Sequence, residues 1–148
     1  EPRAEHVIFD VKGVKSLEEK ALKKGWALYE TCQVYICGYC MSPGVTFIRD
    51  SQSVDLHVRM LLHKGDNDDA VEWPFQHKIR LKVIHPGEGV APCFVEIKPH
   101  RVSKDVQKPT TSSNPAGFFP FPSFNLRVMR DNGYVFEDTL RIKWEVLP

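Results

Sequence analysis

The chain has 148 residues, a formal net charge of +1, and 42% hydrophobic against 26% charged residues. This is the size and make-up of one globular domain, long enough to bury a substantial core without metals or disulfides. So balanced a charge gives no electrostatic case for a nucleic acid or membrane partner, and no stretch approaches the roughly 20 apolar residues of a membrane span.

Residues 1–148 read as a single domain. The chain opens at Glu1 with no signal peptide, so a longer parent is expected to carry it. His6 to Val14 is apolar and β-branched, the pattern of a first strand. A helix is predicted over Ser16–Lys24. Leu17, Ala21 and Leu22 recur at helical spacing, Ser16 is the expected cap, Glu18 and Glu19 come early, Lys23 and Lys24 late, and Gly25 stops it. From Trp26 onward strands dominate, first "ALYETCQVYICGYCM", then "VTFIRD". Val54, Leu56, Val58, Met60 and Leu62 alternate with Asp55, His57, Arg59, Leu61 and His63, which predicts a strand with one buried face and one solvent-leaning face. The run Gly65–Asp69 reads as a solvated turn.

Ile79, Leu81 and Val83 against Lys78, Arg80 and Lys82 repeat the alternation, and "APCFVEIKP" adds a short strand. Ser103–Gly117 is too rich in Pro, Ser and Asn for a regular element and reads as a long loop. "FFPFPSFNLRVMRDNG" carries two prolines that favour an edge strand. Leu140, Ile142, Trp144 and Val146 share one face of the last strand. Seven or eight strands, one short helix and no βαβ rhythm predict an all-β antiparallel sandwich.

Cys37-Gly38-Tyr39-Cys40 has the spacing of a thiol–disulfide centre. Such a centre needs its first cysteine at a helix N-terminus, where the dipole generates thiolate. Here Pro43-Gly44 and a β-branched run follow. On a strand the two thiols point to opposite faces, so no disulfide between them is expected. The six histidines are scattered and no second ligand pair at finger spacing follows, so no metal, no cofactor and no catalytic residue is assigned. Trp73-Pro74-Phe75 reads as a buried structural turn.

Four stretches occur in a specific order: "GYCM" followed by a strand; "LHKGDNDDAVEWPFQHKIRLKVIH", with Trp73-Pro74-Phe75; "VQKPTTSSNPAGF"; and "YVFEDTLRIKWEV", with Asp138-Thr139-Leu140. From Gly38 to Val146 they resemble the TRAF-C (MATH) domain. The "WPFQ" and "NPxGF" wording is most similar to the family member serving interleukin-1 and Toll-like receptor signalling. The first 37 residues match poorly, and Phe9 or Val11 stands where the family has a tryptophan. The resemblance implies an eight-stranded sandwich without catalysis. It implies a cytoplasmic adaptor module that takes an extended peptide from a receptor tail or another adaptor on a sheet edge. The parent is implied to trimerise through a coiled coil, of which this chain carries no heptad run. The implied peptide-binding positions are Gly44, Thr46, Arg59, Pro115, Ala116, Gly117, Phe118 and Phe119. Several depart from the family pattern. Gly44 and Thr46 replace an arginine and an aromatic or histidine, Arg59 replaces a groove phenylalanine, Ser103, Lys104 and Ala116 retain one serine of a clamp, and Pro120 replaces an aromatic. Arg59 is the expected substitute cation. The alternatives are a MATH-type substrate-recognition domain of a ubiquitin ligase adaptor or deubiquitinase, and a cysteine-dependent enzyme.

Overall fold

A computed structural model describes residues 5–148. Ten strands form two antiparallel sheets. The first contains β1 (Glu5–Lys12), β10 (Thr139–Val146), β6 (Ile79–Ile84) and β7 (Cys93–Ile97), in that spatial order. The second contains β2 (Trp26–Glu30), β4 (Tyr39–Asp50), β5 (Ser53–Leu62) and β8 (Gly117–Phe118) in order, with β3 (Val34–Ile36) also on β4 and β9 (Phe124–Asn125) also on β5. The core lies between them. Val54, Leu56, Val58, Met60 and Leu62 of β5 are all buried, as the alternation predicts, and face Leu81, Val83, Leu140, Ile142 and Trp144 of the other sheet. Period two places every second side chain inward, and the buried apolar area drives the sheets together.

The strand count exceeds the prediction because "ALYETCQVYICGYCM" is three strands. β2 and β3 both pair with β4, and β4 runs unbroken through Pro43 and Gly44 into "VTFIRD". Cys37 and Gly38 lie in the two-residue turn between β3 and β4, both with positive φ (52° and 86°). Thus Cys37 is not on a strand, and the opposite-face argument against pairing does not apply to it. Positive φ at both centres is the geometry that continues strand twist through a tight hairpin.

The helix α1 spans Val14–Lys24 and starts before Ser16. Ser16 is not its cap. Gly13 takes the cap position in the left-handed region, and the orphan N–H groups are met from the far end of the chain. Gly13 N and Val14 N donate to the Asp138 carbonyl, and Lys15 N donates to its carboxylate Oδ1 at 2.8 Å. Gly25 closes the helix, also at positive φ, donating to the Ala21 carbonyl.

The predicted proline-rich edge strand divides. Phe124 and Asn125 pair with β5, and Leu126–Asp131 forms a second short helix, α2. Asn125 is its N-cap, accepting from Val128 N at 3.1 Å, and Leu126 and Met129 are buried one turn apart. Asp68, expected in a solvated turn, is buried. Its carboxylate accepts from Gly65 N and its carbonyl from Trp73 Nε1. Trp73, Phe75 and His77 pack edge-on around Tyr39, so the Trp-Pro-Phe turn is structural.

Leu81 is fully buried between the sheets. Leu81→Ala is expected to cost about 2–5 kcal/mol of folding free energy in urea unfolding, the range for a truncated core aliphatic. A loss below about 1 kcal/mol would reverse the assignment of faces.

Candidate functional site

The outer face of the six-stranded sheet brings three of the sequence-predicted positions, Gly44, Arg59 and Phe118, into one transverse row. Glu30 of β2 lies opposite Gly44 of β4, Gly44 opposite Arg59 of β5, and Arg59 opposite Phe118 of β8. The adjacent row holds Leu28, Thr46 and His57.

Gly44 is buried and has no room for a side chain. A Cβ there would collide with the Tyr29 carbonyl oxygen and lie 3.2 Å from Glu30 Cα. Its own carbonyl accepts a hydrogen bond of 3.2 Å from Trp144 Nε1, a buried link to the opposite sheet. The absent side chain leaves the row open above β4. Arg59 reaches across it, and its Nε donates to Glu30 Oε2 at 2.7 Å. Two strand spacings are about 9.6 Å, a span that two long side chains close only when nothing stands between them. Arg59 is therefore the row's cation, but its charge is already held by Glu30.

Thr46 is buried and its Oγ1 has no hydrogen-bond partner among the described residues. His57, expected on a solvent-leaning face, is buried as well. Its ring lies 5.0 Å from the Phe118 ring, and its Nδ1 is 3.0 Å from the Phe119 carbonyl. His63, on the same face, sits 2.8 Å from Ser42 Oγ through Nε2. Both histidines are bonded parts of the sheet surface: His57 holds the chain at Phe119, and His63 ties the end of β5 to β4.

The segment following Ser112 runs along the outer edge of β5. Lys64 N donates to Ser112 O and Asn114 N to Leu62 O. Met60 then pairs with Gly117, so the edge has taken in one extra residue at Pro115-Ala116, a bulge. Gly117 is buried, Phe118 is 44% exposed, and Phe119 is half-buried against the core. Beyond it the chain leaves β5 and returns at Phe124, with Phe121 84% exposed at the tip. β8 stands last in its sheet's strand order.

Below this edge a short 3-10 turn, Lys104–Val106, is held by Asn114, whose Nδ2 donates to the carbonyls of Asp105 and Gln107. It places the Asp105 carboxylate against Gly117 Cα. A Cβ on Gly117 would collide with Oδ2 and lie 3.3 Å from Cγ. Among the described residues no lysine or arginine pairs with Asp105. Burial pushes its carboxyl above the usual carboxylate range, opposed only by its own backbone N–H. Glu30 and Asp105 are the two residues that reading the sequence missed. Glu30 was legible only through its register with Gly44, and Asp105 sits in a segment whose composition reads as solvated loop.

Three of the thiols lie in surroundings that disfavour thiolate. Burial pushes Cys37 up, with Glu5 adding to it; burial also pushes up Cys40 and Cys93. A separate cleft on the other sheet's outer face is lined by residues including His85, Tyr134, Phe136, Asp10 and Arg141. Its Asp10 and Arg141 pair with each other at 2.9 Å.

The model of the TRAF/meprin MATH domain matches residues 30–143. The chain belongs to that family. It is 36% identical over 101 residues to TNF receptor-associated factor 6 of Danio rerio, covering 68% of this chain and 18% of that protein. Identity to the Xenopus tropicalis protein of the same name is 30% over 96 residues, with 61% and 17% covered. A solved TRAF5 structure from Notothenia coriiceps matches with a TM-score of 0.77 at 26% identity, over 95% of this chain and 72% of that one. This MATH domain thus spans less than a fifth of the length of these curated relatives. The sandwich is that of a protein-interaction module of TRAF adaptors.

Two outcomes test the site's electrostatics. Cys37 and Cys40 are expected to alkylate more slowly at pH 7 than free cysteine, because a raised pKa leaves less thiolate; faster labelling would restore a redox role. For Asp105, a pKa raised in the native state means that folding takes up protons. Stability is therefore lost as pH rises from the ordinary carboxylate value through the raised one. Asp105→Asn is expected to raise the melting temperature at pH 7, with the gain vanishing in acid; a gain independent of pH would mean the carboxylate is not strained.

Proposed function

We propose that this MATH domain is a non-catalytic module that takes a short extended peptide, from a receptor tail or adaptor, as an added strand on β8. The observation that carries the reading is Phe118. It is a large apolar side chain, 44% exposed, on the last strand of a sheet and in the same row as Arg59 and Gly44. An added strand gains main-chain hydrogen bonds from the edge, and an exposed aromatic beside it supplies an apolar anchor. Family membership supports this use of the surface. The proposed parent is a cytoplasmic adaptor that raises weak single-site affinity by trimerisation.

The charge chemistry of the row departs from an acid-binding groove. The position that would present an arginine is Gly44, and the cation that remains is engaged by Glu30. An acidic peptide would have to displace Glu30 from Arg59.

Phe118→Ala is expected to weaken peptide binding by about 1–2 kcal/mol, the cost of a truncated aromatic anchor. Amide shifts in the labelled domain should centre on Asn114–Phe119. The unaltered domain is expected to bind peptides with an acidic motif poorly, and Glu30→Gln, which removes the charge that holds Arg59, to improve their binding. Tight binding of such peptides without the substitution would remove the role given to the Glu30–Arg59 pair.

A further inference from the structure

The geometry points to a basic ligand: we infer that the peptide taken by the β8 edge presents a lysine or arginine to Asp105. The inference rests on the edge reading above and adds the chemistry of one ligand side chain.

In an edge strand, a side chain faces the position directly opposite on any strand added to it, and such cross-strand pairs favour opposite charges and disfavour like ones. Gly117 has no side chain to offer. The place its Cβ would take is filled by Asp105 Oδ2, delivered from the neighbouring turn. The edge therefore displays a carboxylate where a side chain at position 117 would stand. Asn114 fixes that turn by bonding its main-chain carbonyls, so the Asp105 carboxylate is positioned without itself being neutralised.

The other charges of the surface do not offset it. Arg59 is bonded to Glu30 across Gly44, and Lys108 is bonded to Asp69. Lys104 and Lys64 are exposed and make no ion pair among the described residues, so solvent screens them. Apart from those screened lysines, the charges held in place at the edge are an internally satisfied ion pair on the outer face and one half-buried carboxylate, without an ion-pair partner among the described residues, on the inner side. A half-buried carboxylate gains most from a cation that also donates hydrogen bonds. An aspartate or glutamate on the ligand at this position meets the same charge at close range.

The test uses the isotope-labelled 148-residue chain and three synthetic peptides of Ser, Thr and Val, identical except for a central Lys, Gln or Glu. The Lys peptide is expected to bind about tenfold more tightly than the Glu peptide, a difference equivalent to about 1.4 kcal/mol. In both cases the amide shifts should lie at Asn114–Phe118. Asp105→Asn is expected to bring the Lys and Gln peptides within about twofold of each other while leaving the spectrum of the free domain folded. Equal binding of the Lys and Glu peptides at this edge would overturn the inference and leave the edge reading standing. So would a Lys preference that survives Asp105→Asn. Shifts that avoid Asn114–Phe118 for all three peptides, or no binding by any, would overturn the edge reading and this inference with it.

Discussion

The backbone at Gly44 is the point on which both sheets and the candidate site depend. Here β4 passes so close to β2 that no side chain fits, while the Gly44 carbonyl accepts the indole N–H of Trp144 from the opposite sheet. A buried indole without an acceptor carries a desolvation penalty of about 1–3 kcal/mol, so the position of this carbonyl matters to the core as well as to the surface. Pro43 beside it has no N–H to give to the ladder, yet it keeps its register opposite Met60 and its carbonyl accepts from Thr31 N. The same missing side chain opens the outer row, and Arg59 closes it by reaching Glu30. One glycine thus bears on core hydrogen bonding, strand spacing and the charge pairing of the surface together. An arginine at position 44 would be more than a change of ligand preference: it would require β2 to move.

The polar groups along this surface divide into satisfied and unsatisfied. His57 and His63 are bonded to Phe119 and Ser42, and Arg59 to Glu30. Thr46 Oγ1 and the Asp105 carboxylate are not comparably matched. Buried polar groups without partners cost stability, and where a fold retains them beside a free sheet edge a ligand is one means of satisfying them. Asp105 lies at the edge itself. Thr46 lies a row away on β4, opposite His57 and not at the edge.

Much of the fold was legible in the sequence because alternation is a local signal. The inward faces of β5, β6 and β10 follow directly from period two, and the α1 region from helical spacing. What escaped depends on contacts between distant segments. Asp138 caps α1 from more than a hundred residues away, so Ser16, the nearest plausible residue, was the wrong choice. Phe124–Asp131 reads as strand only because the aromatic and proline-rich run Phe118–Phe124 leads straight into it, although Asn125 followed by Leu126 and Met129 carries a cap and one turn of helical spacing. At the site, counting from the Gly38-Tyr39 marker picks Gly44 and Thr46, and the strand register sets Gly44 opposite Arg59, with Phe118 next across the sheet. Counting gave no access to Glu30, whose relevance exists only once β2 is registered against β4.

The length of the free edge limits what it can bind. The bulge at Pro115-Ala116 interrupts pairing on one side of β8, and the Phe119–Ser123 excursion does so on the other, leaving two paired residues. A strand so short is a poor template for a second copy of the chain, which is how natural sheets keep open edges from self-association. The same brevity gives a peptide few main-chain hydrogen bonds, each contributing about 0.5–1.5 kcal/mol net. Selectivity must then come from the side chains at its borders. Phe118 offers apolar area and no charge discrimination, and the Glu30–Arg59 pair is internally neutral. On the proposed edge reading, this leaves the carboxylate lodged at Gly117 as the group that would discriminate most between peptides.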